Sequence, residues 1–200
     1  TNKEKEVSEL ENPLIFMSAS SIPNVRKIQD ILEYAIKTNR PILLIAPLES
    51  QPLTALAMNK VKGNIKVNVV EPPSFGLKRK DILEDLALLV GAKVFDESLG
   101  DSIDAITTDM LGSADKAISD KDGTVLVVSE KSDEVQERID YLKTELEKED
   151  HFVTTRHLND RLALLSGGVS VIYVGAATEV ELKEKQDRVD DAIHAVRAAK

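Results

Sequence analysis

The chain predicts a mixed α/β fold. Short apolar runs of strand length alternate with longer helical stretches, and Lys121-Asp122-Gly123 places a tight turn between two β-prone segments. No internal repeat or low-complexity linker interrupts that order. At 200 residues the chain is one large domain or a domain with an appendage, long enough for a sizeable core.

Leu14 to Met17 and Pro41 to Ala46 read as buried strands because they are continuous apolar runs. Between them, Asn24 to Lys37 reads as a helix, with Ile28, Ile31 and Ala35 in one stripe that Leu32 and Ile36 widen. A second helix covers Pro52 to Lys62, with Ser50 near its N-cap, Pro52 in its first turn and Gly63 just past its end. Lys66 to Val70 is a strand stopped by Pro72-Pro73, Leu77 to Val90 a third helix, and Ala92 to Asp96 another strand. Ala114 to Ser119 and Thr124 to Val128 form the hairpin. Two helices follow, the heavily charged Asp133 to Glu149 and then Thr155 to Ser166.

After the break at Ser166-Gly167-Gly168, Val169 to Val174 reads as a strand rich in Val, Ile and Tyr. Thr178-Glu179-Val180-Glu181 is a capping box, in which hydroxyl and carboxylate satisfy each other's backbone N–H. The helix it opens carries Leu182, Val189, Ile193 and Val196 as its apolar stripe and runs to Lys200 with no residue to stop it. That unstopped helix, and a start at Thr1 rather than a methionine, lead us to expect a fragment.

With 42% hydrophobic and 30% charged residues the chain reads as soluble and globular. A net charge of −9 argues against nucleic acid, which calls for a basic footprint. No apolar run approaches the ~18 residues of a membrane span, and no segment reads as a signal peptide. The absence of cysteine excludes disulfides and thiolate metal sites and fits a reducing compartment.

Several motifs share one register: Gly167-Gly168-Val169, Val174-Gly175-Ala176-Ala177-Thr178-Glu179, Lys183-Glu184-Lys185, and Arg188-Val189-Asp190-Asp191-Ala192-Ile193-His194-Ala195. Leu10-Glu11-Asn12-Pro13, Phe75-Gly76-Leu77-Lys78-Arg79-Lys80, Leu111-Gly112-Ser113-Ala114 and Lys121-Asp122-Gly123-Thr124 precede them. In order and spacing this set resembles group I chaperonins, the GroEL family, across essentially the whole chain. The resemblance implies an apical domain over residues 1–168, with a β-sandwich core flanked by helices. Residues 169–200 would then begin the intermediate domain with its C-terminal helix. It implies a molecular chaperone that binds non-native polypeptides as part of an ATP-dependent homo-oligomeric ring. A GroES-type co-chaperonin would be a partner, and the compartment the bacterial cytoplasm or an organelle matrix.

In chaperonins the two helices near residues 24–37 and 52–62 form the groove that holds client and co-chaperonin. The positions that match it are Gln29, Leu32, Glu33, Leu53, Ala57, Met58 and Asn59, and Ile36 extends the same apolar stripe. Glu33 and Asn59 would supply polar contacts to a co-chaperonin loop. Periodicity alone leaves two readings open. Leu53, Leu56, Ala57, Met58 and Val61 cover roughly 200° of their helix, which fits packing on two sides or an exposed binding face. The match is also imperfect. Gln29 and Ala57 replace larger aliphatic residues, Ile45 to Gln51 has lost acidic and glycine character, Ser18 to Ser21 lacks the usual Asp and Lys, and Leu77 replaces an acid.

Asp191 lies nearly opposite its helix's apolar stripe and, on the residues alone, reads as a surface acid. The resemblance places it on the aspartate that orients the attacking water in γ-phosphate hydrolysis, and Glu179 on an intersubunit salt bridge. ATP and Mg²⁺ would bind a domain outside this chain, so the chain alone is expected to be inactive. An alternative without the resemblance is a small acidic hydrolase using Glu179, Asp190 and Asp191 with a divalent cation. Adjacent Asp190 and Asp191 diverge by about 100° on a helix, which opposes joint chelation. No metal site is expected elsewhere: His151, His157 and His194 lack cysteine partners, and the first two miss the i, i+4 spacing of a helical ligand pair. Lys78-Arg79-Lys80 reads as a solvated or salt-bridging cluster. Neither Gly167-Gly168 nor Ser166 belongs to a phosphate loop or nucleophile elbow.

Overall fold

The computed structural model describes residues 7–73, 76–120, 123–167 and 169–173, the last of these and residues 76 and 77 by their backbone. In chain order the first half comprises Ser8–Glu11 (β1), Leu14–Ser18 (β2), Gln29–Lys37 (α1), Ile42–Ile45 (β3), Ser50–Val61 (α2), Val67–Val70 (β4) and Gly76–Val90 (α3). Val94–Phe95 (β5), Gly112–Ser113 (β6), Lys116–Ser119 (β7), Gly123–Val127 (β8), Asp133–Lys148 (α4), Phe152–Ser166 (α5) and Val169–Tyr173 (β9) follow.

β2 and β3 are buried at every position, as strands covered on both faces must be. They pair in parallel, Leu14 opposite Ile42 and Met17 opposite Ile45, and β4 extends the sheet in parallel beyond β3. The other edge of β2 is shared. β5 lies parallel to its end at Met17 and Ser18, and β6 runs antiparallel along its start at Leu14 and Ile15. A second, antiparallel sheet has the order β1-β7-β8-β9. The α/β class expected from the sequence is therefore present, as a mostly parallel sheet joined to an antiparallel one.

Alternation along β2 and β3 builds two cores. Leu14, Phe16, Ile42 and Leu44 face Ile31, Leu32 and Ala35 of α1 and Leu56 of α2. Ile15, Met17, Leu43 and Ile45 face Leu83, Leu86 and Val90 of α3, together with Leu10, Ala117 and Leu126 of the antiparallel sheet. Each of these large side chains, fully buried, contributes about 1.5–3 kcal/mol. The crossover from β4 to β5 runs back across the sheet, so a connection of constant hand puts α3 on the face opposite α1 and α2.

Local chemistry shifts several expected boundaries. The helix expected from Asn24 begins as a 3-10 turn over Val25–Ile28, because the Asn24 side chain accepts from Arg26 N–H at 2.9 Å. The expected strand at 92–96 shrinks to two residues: Gly91 turns at φ +70°, and Lys93 N–H donates to Met110 instead of a strand partner. α5 starts three residues before the expected Thr155, whose N–H already donates to His151. β1, β6 and the 3-10 turns between β5 and β6 have no counterpart in the sequence reading. Gly112 in β6 is there for close approach, since a Cβ would lie 2.4 Å from the Val90 carbonyl.

α4 and α5 pack on α3 through a third cluster of Leu89, Val135, Ile139, Leu142, Leu158 and Leu165. Lys131 Nζ donates to the carbonyls of Leu165 and Ser166 at 2.7 and 2.8 Å, closing the C-terminal end of α5. Burial lowers its pKa. α3 and α5 run parallel, because two contacts repeat with the same sequence offset. His157 Nε2 lies 2.8 Å from Asp81 Oδ2, and Arg161 Nε donates to Asp85 Oδ2 at 2.6 Å. Asp85 is fully buried and also receives Arg161 Nη2 at 3.1 Å. Burial opposes the Arg161 charge, but Asp85, Asp81 and Glu84 outweigh it and raise its pKa further.

β9, with which the second expected unit starts, pairs with β8 from Val169 opposite Val127 to Tyr173 opposite Gly123. The capping box at Thr178 and the helix with Leu182, Val189, Ile193 and Val196 lie outside the described residues.

Replacing Arg161 with Met leaves the Asp85 carboxylate buried with Arg138, at 3.5 Å, as its remaining ion-pair partner among the described residues. Removing one partner of a buried pair costs about 3–5 kcal/mol. Urea denaturation should show that loss for Arg161→Met, with most of it recovered in the double variant Asp85→Leu/Arg161→Met.

Candidate functional site

α1 and α2 cover one face of the parallel sheet, and the turn that leads into α1 is tied to the start of α2. Val25 N–H donates to Gln51 Oε1 at 3.1 Å, and Glu49 N–H donates to the Ile22 carbonyl. α2 begins directly after Glu49 and ends before Gly63, which sits at φ +76° as a helix terminator should. Only Pro52 and Leu56 of α2 are buried. Leu53 (41% exposed), Met58 (55%) and Val61 (88%) face outward, and Ala57 is exposed with them. Two-sided packing of α2 is thereby excluded among the described residues.

At about 100° per residue, Leu53, Ala57 and Val61 form one row that drifts about 40° per step, and Met58 sits about 60° beyond its Val61 end. Val61 belongs to this face although the sequence-derived site omits it. Its position four residues past Ala57 and eight past Leu53 was the available signal. On α1, Ile36 is exposed beside Gln29 and Glu33, and Gln29 Nε2 donates to Glu33 Oε1 at 2.7 Å.

Two expected site residues are placed differently. Leu32 is 8% exposed and packs in the core beneath α1, so it supports the face rather than lining it. Its neighbours Ile31 and Ala35 turn that side of the helix to the sheet. Asn59 is exposed but lies off the apolar row. Its amide donates to the Ala55 carbonyl at 2.8 Å and accepts from Asn64 at 3.1 Å, closing the end of α2. Glu179, Asp190 and Asp191, including the three-acid alternative, lie outside the described residues.

Open α/β sheets bind ligands beyond the carboxyl ends of the strands where the strand order reverses. Here that point lies between β2 and β5. It is filled by the protein's own polar groups. Asp96, 4% exposed, accepts from Ser98 N–H at 2.9 Å through Oδ1, and the Ser20 hydroxyl lies 3.5 Å away. Lys80 Nζ of α3 stands 2.9 Å from Asp96 Oδ2, an ion pair without hydrogen-bond alignment, and donates to Ser98 Oγ at 2.5 Å. Burial works to raise the Asp96 pKa, but Lys80 and Ser98 together outweigh it and lower it.

No protein-family model matches the chain.

A carboxylate whose folded pKa is depressed stabilises above its unfolded pKa and loses that contribution as pH falls through the folded value. Lys80→Met should therefore cost about 1–2 kcal/mol at neutral pH, between surface and buried pairs. It should also move the midpoint of acid unfolding upward in a circular-dichroism pH titration.

Proposed function

We propose that this chain is the polypeptide-binding unit of a group I chaperonin, an ATP-dependent ring that holds non-native proteins. The observation that carries the reading is the outward apolar face of α2, Leu53, Ala57, Met58 and Val61, beside Ile36 of α1. Scattered apolar residues are ordinary on a protein surface, but several on one helical face favour a binding role. Such a face gains affinity from apolar area removed from water, at ~25 cal/mol per Å², and this is non-directional. It suits partners that share exposed hydrophobic segments and little else. Met58 adds an unbranched thioether that adapts to varied partners.

On the same reading the apical unit has its β-sandwich core in the two sheets, and a GroES-type co-chaperonin competes for the face, with Glu33 its polar contact. The ring works in a bacterial cytoplasm or organelle matrix. Among the described residues no helix is long and apolar enough to cross a membrane. Nor do three His, Cys, Asp or Glu side chains converge there as a cation would need. The place of ATP and Mg²⁺ in the proposal rests on the resemblance alone. Asp191 and Glu179 keep the roles it implies, in hydrolysis and in an intersubunit salt bridge.

Leu53→Glu and Met58→Glu should each abolish protection of a chemically denatured client in a light-scattering assay. Both positions are exposed, so the unfolding free energy should change by no more than an ordinary surface substitution gives, about 0.5 kcal/mol, as thermal unfolding would show. Unimpaired protection by both variants would move the site elsewhere. In the full-length ring, Asp191→Ala should leave ATP binding intact and slow turnover by roughly a hundredfold or more. Normal turnover would return Asp191 to a surface acid.

A further inference from the structure

On the opposite side of the sheet from α1 and α2, the first turns of α3 and α5 leave a cavity of about 320 Å³. That volume is at the small end of the ~300–1,000 Å³ typical of small-molecule sites. Its walls are apolar, from Ile82 on α3 and Phe152 and Val153 on α5. Phe152 is 77% exposed and Val153 50%, so the cavity leaves an aromatic ring in water. A ligand that covers this ring removes apolar area from solvent.

The charges at the mouth are unbalanced. Lys78 and Arg156 line it, and neither has an ion pair among the described residues. Asp160 is the one carboxylate in the lining, and the His157 imidazole is held by Asp81 below it. Both helices run parallel and bring their N-terminal ends to this side, which adds to the preference for negative charge. A local excess of cations in a chain of net charge −9 is not what overall composition would produce.

We infer that this cavity binds a small apolar carboxylate, with an aromatic or branched body against Ile82, Phe152 and Val153 and its carboxylate between Lys78 and Arg156. The arginine fork matches a carboxylate geometrically, and the flexible lysine supplies a second charge. The site is independent of the α1–α2 face, which lies across the sheet.

The test is a titration of the chain with phenylpropanoate, followed by NMR at the Ile82 and Val153 methyl groups and the Phe152 ring. Saturable shifts confined to these groups are expected. Phenylpropanol and phenylpropylamine should bind about tenfold more weakly or worse, the difference one charge-assisted contact makes. The double variant Lys78→Gln/Arg156→Gln, at exposed positions without ion-pair partners among the described residues, should lose affinity for the acid to a similar degree while keeping its fold. Equal binding of acid, alcohol and amine would overturn the inference, as would a double variant that binds normally or shifts that appear only at Met58. A tripeptide ending in phenylalanine, compared with its C-terminal amide, separates the two sources of this chemistry. Tighter binding than phenylpropanoate, lost on amidation, assigns the site to a chain end, and weaker binding assigns it to a free acid.

Discussion

β2 and β3 are buried at every position, and successive side chains serve opposite cores. A parallel sheet of this kind is stable only when both faces are covered. That requirement fixes the rest of the arrangement. α1 and α2 must lie on one face, and the reversal of strand order sends α3 to the other, where the antiparallel sheet completes the cover. Because α1 and α2 form the outermost layer on their side, each has a face with nothing of the described chain above it.

α3 is in the opposite position. One side feeds the second core and the other feeds the cluster with α4 and α5, so it is buried between layers. A purely leucine-lined seam between α3 and α5 would tolerate a slide of one helical turn, since similar side chains would meet again. The charged contacts do not. Asp81 with His157 and Asp85 with Arg161 are satisfied together in only one register. Burying this network costs desolvation, and its return is a unique axial position more than net stability.

Much of the architecture was legible in the sequence because the signals were local. Continuous apolar runs marked β2 and β3, Gly63 marked the end of α2, and the turn-prone sequence Lys121-Asp122-Gly123 marked the β7–β8 pair. β6 was not legible, because two residues, one a glycine, owe their strand character to β2 and to close approach by α3. At the candidate site, periodicity showed that α2 was apolar over too wide an arc but could not say which part was covered. Leu32 and Ile36 illustrate the limit. Both are aliphatic, four residues apart on one helix, yet one is buried and the other 53% exposed, because the edge of the sheet's footprint passes between them.

The position of that outward face bears on what it can recognise. In an open α/β sheet the crevice at the strand-order reversal offers a concave, polar site suited to one small ligand. Here Asp96, Lys80, Ser20 and Ser98 occupy that crevice with contacts to one another. On the proposed reading, binding on this side of the molecule falls to the part of the outer surface where Leu53, Ala57, Met58 and Val61 of α2 and Ile36 of α1 are exposed, and Met58 is the most adaptable of these. The Leu53, Ala57 and Val61 row itself has no side-chain donor or acceptor with which to select a partner, and Asn59 is engaged at the helix end and Gln29 with Glu33. On the proposed reading, discrimination there rests on whether a partner exposes apolar segments at all. That property separates unfolded chains from folded ones without reading their sequence.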